Sequence, residues 1–144
     1  MKQFIFFGIF MAFLNACKPS PQQIYYGSDA CHYCNMTIVD KQHASQIVTK
    51  KGKAFKYDAI ECMLNSFSEN FNEDEIAFYL VANFNEPGKL IDAIPAHYLV
   101  SDQIQSPMGA NLSAFENEKA AQTATEKYAG QLFSWEEIRR HIVK

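Results

Sequence analysis

The sequence predicts an α+β fold in which neighbouring strands run antiparallel. Short apolar segments of strand length are separated by turn signals such as Lys51-Gly52-Lys53 and Asn85-Glu86-Pro87-Gly88. Longer segments that follow a polar, cap-forming residue indicate helices between these strands. A glycine-rich phosphate loop and a hydrolase elbow do not occur in the sequence, so neither chemistry is indicated.

The first group of predicted elements ends at residue 83. Strands are expected at 36–39, 46–50 and 54–57, followed by a helix from Asp58 to about Phe71 and an apolar strand at 76–83. Ile60, Leu64 and Phe67 fall on one face of this helix. Asp58 is expected to cap its N-terminus, a contact that contributes about 1 kcal/mol.

The second group begins after the Asn85–Gly88 turn. Short strands are expected at 90–94, 96–100 and 112–115, followed by a helix at 117–128 and a short strand at 131–133. Gly130 ends the helix. Ser134 with Glu136 and Glu137 predicts the start of a last helix, which ends near a basic pair, Arg139-Arg140.

The N-terminus has the pattern of a bacterial lipoprotein signal peptide. Lys2 precedes an apolar run at 4–14 that is too short to span a membrane permanently. Leu14-Asn15-Ala16-Cys17 then resembles a lipobox, so residues 1–16 are expected to be removed and Cys17 to carry lipid. The alternative is an ordinary secretory signal with a chance cysteine. Residues 17–24 form the expected tether, and the domain is expected to occupy 25–144, with halves at about 25–83 and 84–144.

Composition limits the function classes. The chain has 144 residues with a formal net charge of −3, which argues against nucleic acid as a partner. Twelve Phe and seven Tyr supply enough apolar surface for a packed core. If lipid blocks Cys17, three of the four cysteines remain, and an odd number does not fit a pure disulfide framework.

The segment Cys31-His32-Tyr33-Cys34-Asn35-Met36 is the main candidate for chemistry. Two thiols and a thioether within six residues favour a soft ion such as Cu(I). Zinc would need a second ligand pair, and a thioredoxin-like site would need the cysteines at a helix start. A structural Cys31–Cys34 disulfide and an inward-packed Met36 remain alternatives.

A second sulfur donor is expected at Met108. Pro107 and Gly109 exclude a mid-strand or mid-helix position, so the thioether is expected at a loop apex where a ligand or partner could reach it. Alternatively, Met108 folds back as a plug over the core.

The other candidate ligands are weaker. Cys62 lies on the first turns of the predicted helix. It is more simply interpreted as a small buried apolar residue than as a ligand. His97 sits in an apolar strand and is either a ligand or a hydrogen-bonded core residue. His32 could coordinate or lie exposed, and His43 and His141 are expected at the surface.

Taken in order, these features resemble the NosL family of copper-binding lipoproteins that assist nitrous oxide reductase. The matching segments are Leu14–Cys17, Cys31–Met36, Tyr57-Asp58-Ala59-Ile60-Glu61-Cys62-Met63, Ser106–Gly109 with Ala114-Phe115, and Gly130 with Trp135. The chain departs from the family pattern at Asn35, where glycine is usual, and at Asp58-Ala59, where two aspartates are often adjacent. The resemblance implies two ββαβ-type halves.

The resemblance also implies a function without enzymatic activity. A lipid-anchored protein on the periplasmic side of a bacterial membrane would bind one Cu(I) and deliver it to nitrous oxide reductase or its assembly machinery. The implied metal ligands are Cys31, Cys34, Met36 and Met108. The alternative is a thiol-disulfide oxidoreductase or redox-active lipoprotein that uses Cys31 and Cys34, with one thiol of depressed pKa.

Overall fold

The structure is a computed structural model that describes residues 18–143. The predicted signal peptide and the lipidation candidate Cys17 therefore lie outside the described residues. In the described part, no helix has both the length and the apolar character needed to cross a membrane. The α+β prediction is confirmed, because residues 18–143 form two antiparallel sheets accompanied by three α-helices.

The first sheet contains four strands in the order β2-β1-β3-β4. Its elements are β1 (Ser45–Thr49), β2 (Ala54–Tyr57), α1 (Ile60–Asn70), β3 (Ile76–Ala82) and β4 (Leu90–Asp92). One 3-10 turn at Glu73–Glu75 separates α1 from β3. β4 follows the predicted boundary near residue 84 but pairs with β3, so the first sheet extends beyond that boundary.

The second sheet contains three strands in the order β6-β5-β7. Its elements are β5 (His97–Val100), β6 (Leu112–Phe115), α2 (Glu118–Tyr128), β7 (Gln131–Phe133) and α3 (Trp135–Ile142). A strand–strand–helix–strand order therefore occurs twice, as β1-β2-α1-β3 and β5-β6-α2-β7. In both sheets the first strand of the repeat lies between the other two.

The main hydrophobic core is shared by both repeats. Tyr57, Ile60 and Met63 from the first repeat pack in one buried cluster with Tyr98 and Trp135 from the second part of the chain. Full burial of a large apolar side chain contributes about 1.5–3 kcal/mol. Because the cluster crosses between the sheets, it fixes α1 against residues from both.

The prediction of a strand at 36–39 is wrong. Only an isolated bridge between Ala30 and Thr37 forms there, since the Cys31 N–H donates to the Met36 carbonyl at 2.8 Å and closes a tight loop. Strand β1 starts only after this loop.

His43 is not a surface residue, contrary to the expectation. Its ring is buried, with Nδ1 at 2.8 Å from Asp40 Oδ2 and Nε2 at 3.2 Å from Ser113 Oγ. Ser113 belongs to β6, so this buried hydrogen-bonded trio joins the segment before β1 to the second sheet. Its polar groups are satisfied inside the protein, which explains why the imidazole can be buried.

Candidate metal site

A closed loop positions Cys31 and Cys34. Gly27 N–H donates to the Ile38 carbonyl, and Ile38 N–H donates to the Asp29 carbonyl, both at 2.8 Å. The loop turns at Asn35, whose φ of 62° lies in the left-handed region. Asparagine tolerates this region better than most residues. Asn35 therefore adopts the kind of backbone conformation for which glycine is otherwise preferred.

The loop is attached to both β2 and α1. His32 N–H donates to the Lys56 carbonyl at 2.8 Å, and the Lys56 ammonium lies 2.6 Å from Asp29 Oδ2. From the other side, the Tyr33 hydroxyl donates to Glu69 Oε1 of α1 at 2.9 Å. These contacts hold the cysteines where β2 ends and α1 begins.

Asp58 does not cap α1, so that expectation is wrong. The N-cap position is Ala59, and no side chain caps the helix. Asp58 is only 2% exposed, and its Oδ2 accepts a hydrogen bond from the Cys34 thiol at 3.5 Å. The other oxygen, Oδ1, is buried and has no hydrogen-bond partner among the described residues.

Cys62 completes a four-residue cluster. It lies in the first turn of α1 and is 1% exposed. Its sulfur, the sulfurs of Cys31 and Cys34, and a carboxylate oxygen of Asp58 all lie within 4.8 Å of one another. All three cysteines are free thiols. Ligands about 2.3 Å from a tetrahedrally coordinated ion lie roughly 3.8 Å apart, so a modest contraction would let this cluster surround one ion.

The cluster favours one thiolate at neutral pH. The hydrogen bond from the Cys62 thiol, followed by the backbone N–H groups of Cys34 and Asp58, lowers the pKa of Cys31 to about 6 against the opposing effect of burial. Burial, together with the nearby Cys31 and Asp58, raises the pKa of Cys34 to about 11. The bond that it donates to Cys31 raises the pKa of Cys62 well above its usual range. A thiolate is the form of cysteine that binds metal.

The two methionines lie outside this group of four. Met36 is 54% exposed in the loop that closes around the cysteines. Met108 is 44% exposed in a turn, as the Pro-Met-Gly pattern predicts, and it lines the same cleft as Cys62. His97 is half-buried on β5 opposite Phe115 and is not part of the cluster.

Sequence reasoning did not predict that Asp58 and Cys62 lie together with Cys31 and Cys34. A cap explained the aspartate, and burial in a core explained the cysteine, so neither residue required a metal. The available signal was their spacing, four residues across a strand-to-helix junction. Only the folded structure shows that the Cys31–Met36 loop lies against that junction.

The fold and the cluster together define a class, namely an α+β domain with converging thiols that is suited to binding a metal ion. The chain belongs to the NosL family, whose family model matches residues 23–143. That match spans both sheets and all four members of the cluster.

Known relatives agree with this assignment. The copper-binding lipoprotein NosL of Stutzerimonas stutzeri is 29% identical over 128 residues, which cover 83% of this chain and 67% of that protein. The crystal structure of the copper chaperone NosL from Shewanella denitrificans has the same fold, with a TM-score of 0.71 at 20% identity. The superposition covers 82% of this chain and 94% of that one. Both relatives are named for copper binding or chaperoning and not for an enzymatic activity.

Proposed function

We propose that this protein is a copper chaperone that binds Cu(I) through sulfur and passes it to a copper-accepting apo-protein. The observation that carries the proposal is the convergence of three free thiols from two distant segments, Cys31 with Cys34 and Cys62. Soft thiolate and thioether ligands select Cu(I). Membership of a family with copper-binding relatives supports copper as the metal.

The placement of the sulfur donors suits transfer. Cys31 and Cys62 are buried, whereas Met36, in the loop of the cysteines, and Met108, in the cleft lined by Cys62, are exposed. An acceptor could therefore reach the thioethers first and displace the thiols one at a time. Such stepwise exchange would keep the ion bound throughout delivery.

We extend the proposal to location and partner. Lipid on Cys17 would hold the domain at the periplasmic side of a bacterial membrane, through the tether at 17–24. The acceptor is proposed to be nitrous oxide reductase or its assembly machinery. The lipobox-like pattern Leu14–Cys17 and the lipoprotein relative support the location, and the family resemblance alone supports the acceptor.

Zinc is a second candidate, because the cluster includes an oxygen donor. Three cysteines and one aspartate make up the four ligands of a tetrahedral zinc site, and Cu(I) has less use for the carboxylate of Asp58. The sequence alone disfavoured zinc for want of further ligands, and Asp58 with Cys62 supplies them.

The oxidoreductase alternative is weakened by burial. The lowered pKa of Cys31 fits a reactive thiol, but its side chain is buried. Reactive cysteines are partly exposed so that a disulfide substrate can reach the sulfur. The half-buried thiol, Cys34, has the raised pKa of a poor nucleophile.

An anaerobic titration of the purified, reduced protein with Cu(I) against a competing chelator tests the proposal. One tightly bound Cu(I) per chain is expected, and Cys62→Ser should weaken binding strongly. The same competition with Zn(II) decides between the two ions. Failure to compete for Cu(I), or preference for Zn(II) over Cu(I), would contradict the copper proposal. Reduction of a disulfide substrate that is lost in Cys34→Ser would favour the oxidoreductase instead.

A further inference from the structure

The turn that carries Met108 is fastened to α1 by a single buried carboxylate. Glu61 Oε1 accepts a hydrogen bond from the Ser106 hydroxyl and another from Ala110 N–H at 3.2 Å. The Ser106 oxygen in turn accepts from Asn111 N–H at 2.8 Å. Both ends of the turn around Met108 are therefore hydrogen-bonded to the same oxygen atom.

The anchor is buried although the turn itself is exposed. Glu61 is 4% exposed and Ser106 is also buried, whereas Pro107, Met108 and Gly109 are exposed. The second carboxylate oxygen, Oε2, is buried without a hydrogen-bond partner among the described residues. Burying a carboxylate is costly unless it is well hydrogen-bonded. The hydrogen bonds that this carboxylate accepts come from the turn, so its burial fixes the position of an otherwise exposed segment.

Glu61 is also the chain neighbour of Cys62. Both residues line one cleft of about 320 Å³ together with Met108. Tyr33, Asn65, Ala110, His141 and Ile142 form the rest of its lining. The anchor and the thiol thus lie on the same helical turn, and Met108, on the turn that the anchor fixes, lines the same cleft as Cys62.

We propose that Glu61 is a positioning residue that holds the Met108 thioether at the mouth of the thiol cluster. The inference rests on the proposed copper function and assigns Glu61 a part in it. Fixing the turn before metal arrives removes the entropy loss that a mobile turn would suffer on ligation. Without the anchor, Met108 remains in the sequence but no longer contributes to affinity.

A double-mutant cycle in the Cu(I) competition assay tests the proposal on the purified protein. Met108→Ala and Glu61→Ala are each expected to weaken binding by about 10-fold, the scale on which supporting residues affect metal sites. The double variant is expected to bind no more weakly than Met108→Ala alone. Glu61→Gln, which keeps an acceptor oxygen for Ser106 and Ala110, is expected to retain most of the affinity.

Two controls separate positioning from general destabilisation. Asn117→Ala removes a helix cap far along the chain and should lower stability without changing Cu(I) affinity. Ser106→Ala keeps the carboxylate and removes the hydroxyl, so it provides a milder test if Glu61→Ala does not fold. The ε-methyl NMR signal of Met108 should shift on Cu(I) loading in the wild type and in Glu61→Gln, but not in Glu61→Ala.

The possible failures are distinguishable. Multiplicative effects of Glu61→Ala and Met108→Ala, or wild-type affinity in Glu61→Ala, would overturn the positioning role while leaving copper binding intact. Unchanged affinity in Met108→Ala would overturn it as well, because there would be no ligand to position. A wild-type protein that fails to bind Cu(I) would instead overturn the proposed function itself.

Discussion

The two ββαβ repeats have the same order of elements but differ where the helix begins. In the second repeat, the Asn117 side chain accepts a hydrogen bond from Ala120 N–H at 3.0 Å and caps α2. In the first repeat, Ala59 occupies the N-cap position, and the preceding Asp58 turns to Cys34 instead. A missing cap costs about 1 kcal/mol. The first repeat therefore lacks a stabilising helix cap at the place where the donors of the cluster converge.

Helices α1 and α2 also differ in the identity and burial of their third residue. Both have eleven residues, and the third residue is Cys62 in α1 and Ala120 in α2. Cys62 is fully buried beside two other thiols, whereas Ala120 is half-buried near a small apolar cluster. The comparison indicates that the start of α1 contributes to the donor cluster, whereas the start of α2 is an ordinary capped helix end.

The largest expected effect comes from exchanging that third residue. Cys62→Ser should weaken Cu(I) binding by at least about 100-fold, because even supporting residues of metal sites contribute 10–100-fold. The matched change Ala120→Ser should leave binding unaltered. Competition titration measures both. Equal affinities of the two variants would show that Cys62 is not a ligand and would remove the proposed difference between the repeats.

The next effect concerns the contact between the segment before β1 and the second sheet. His43→Leu should lower the free energy of unfolding by about 2 kcal/mol, since it leaves Asp40 and Ser113 without their buried partner. Chemical denaturation measures the change. Ser113→Ala should add little in the His43→Leu background, because its hydroxyl has already lost the contact. If the two changes in the free energy of unfolding were fully additive, His43 and Ser113 would not be energetically coupled.

A smaller effect tests the cap itself. Asn117→Ala should lower the free energy of unfolding by about 1 kcal/mol, because the first turn of α2 loses its side-chain acceptor. Asp58→Asn should change stability by less than about 1 kcal/mol, since no cap is lost there. Of the two variants, only Asp58→Asn should alter metal affinity, and the change should be larger for Zn(II), which uses carboxylate donors, than for Cu(I). Denaturation and titration of the same samples give both quantities, and the opposite pattern would contradict the comparison.

The smallest effect is expected at the two left-handed asparagines. Asn35 ends the turn that carries the cysteines, and Asn111 follows the turn that carries Met108, with φ of 62° and 55°. Glycine at either position should change stability by less than about 1 kcal/mol. Asn35→Ala should cost about 1 kcal/mol more than Asn35→Gly, because alanine is strained in this region. Thermal unfolding ranks the variants, and indifference to alanine would contradict the assigned backbone conformation.

Most of the fold could be predicted because local patterns decided it. β6 and β7 have the predicted bounds, and β2 lies where Ala54–Tyr57 was expected. Ser134 and Glu137 form a capping box at the helix start that the sequence predicted for α3. Turn residues, caps and apolar spacing act within a few residues and so remain visible in the sequence.

The site was less predictable because it depends on contacts between distant segments. Cys34 meets Asp58 across 24 residues, and Glu61 meets Ser106 across 45. The strand expected at 36–39 failed for a more local reason, because Met36 and Ile38 are hydrogen-bonded to Cys31, Asp29 and Gly27 within one closed loop. The burial of His43 depends on Ser113, seventy residues away.

The loop that carries Cys31 and Cys34 also covers part of a sheet edge. β2 is the outer strand of its sheet, and the bond from His32 to Lys56 occupies a carbonyl that would otherwise face outward. Uncovered strand edges are places where separate chains pair and aggregate. Modification of the thiols that displaces the loop would expose this edge. Displacement of the loop would therefore affect the solubility of the protein as well as its affinity for metal.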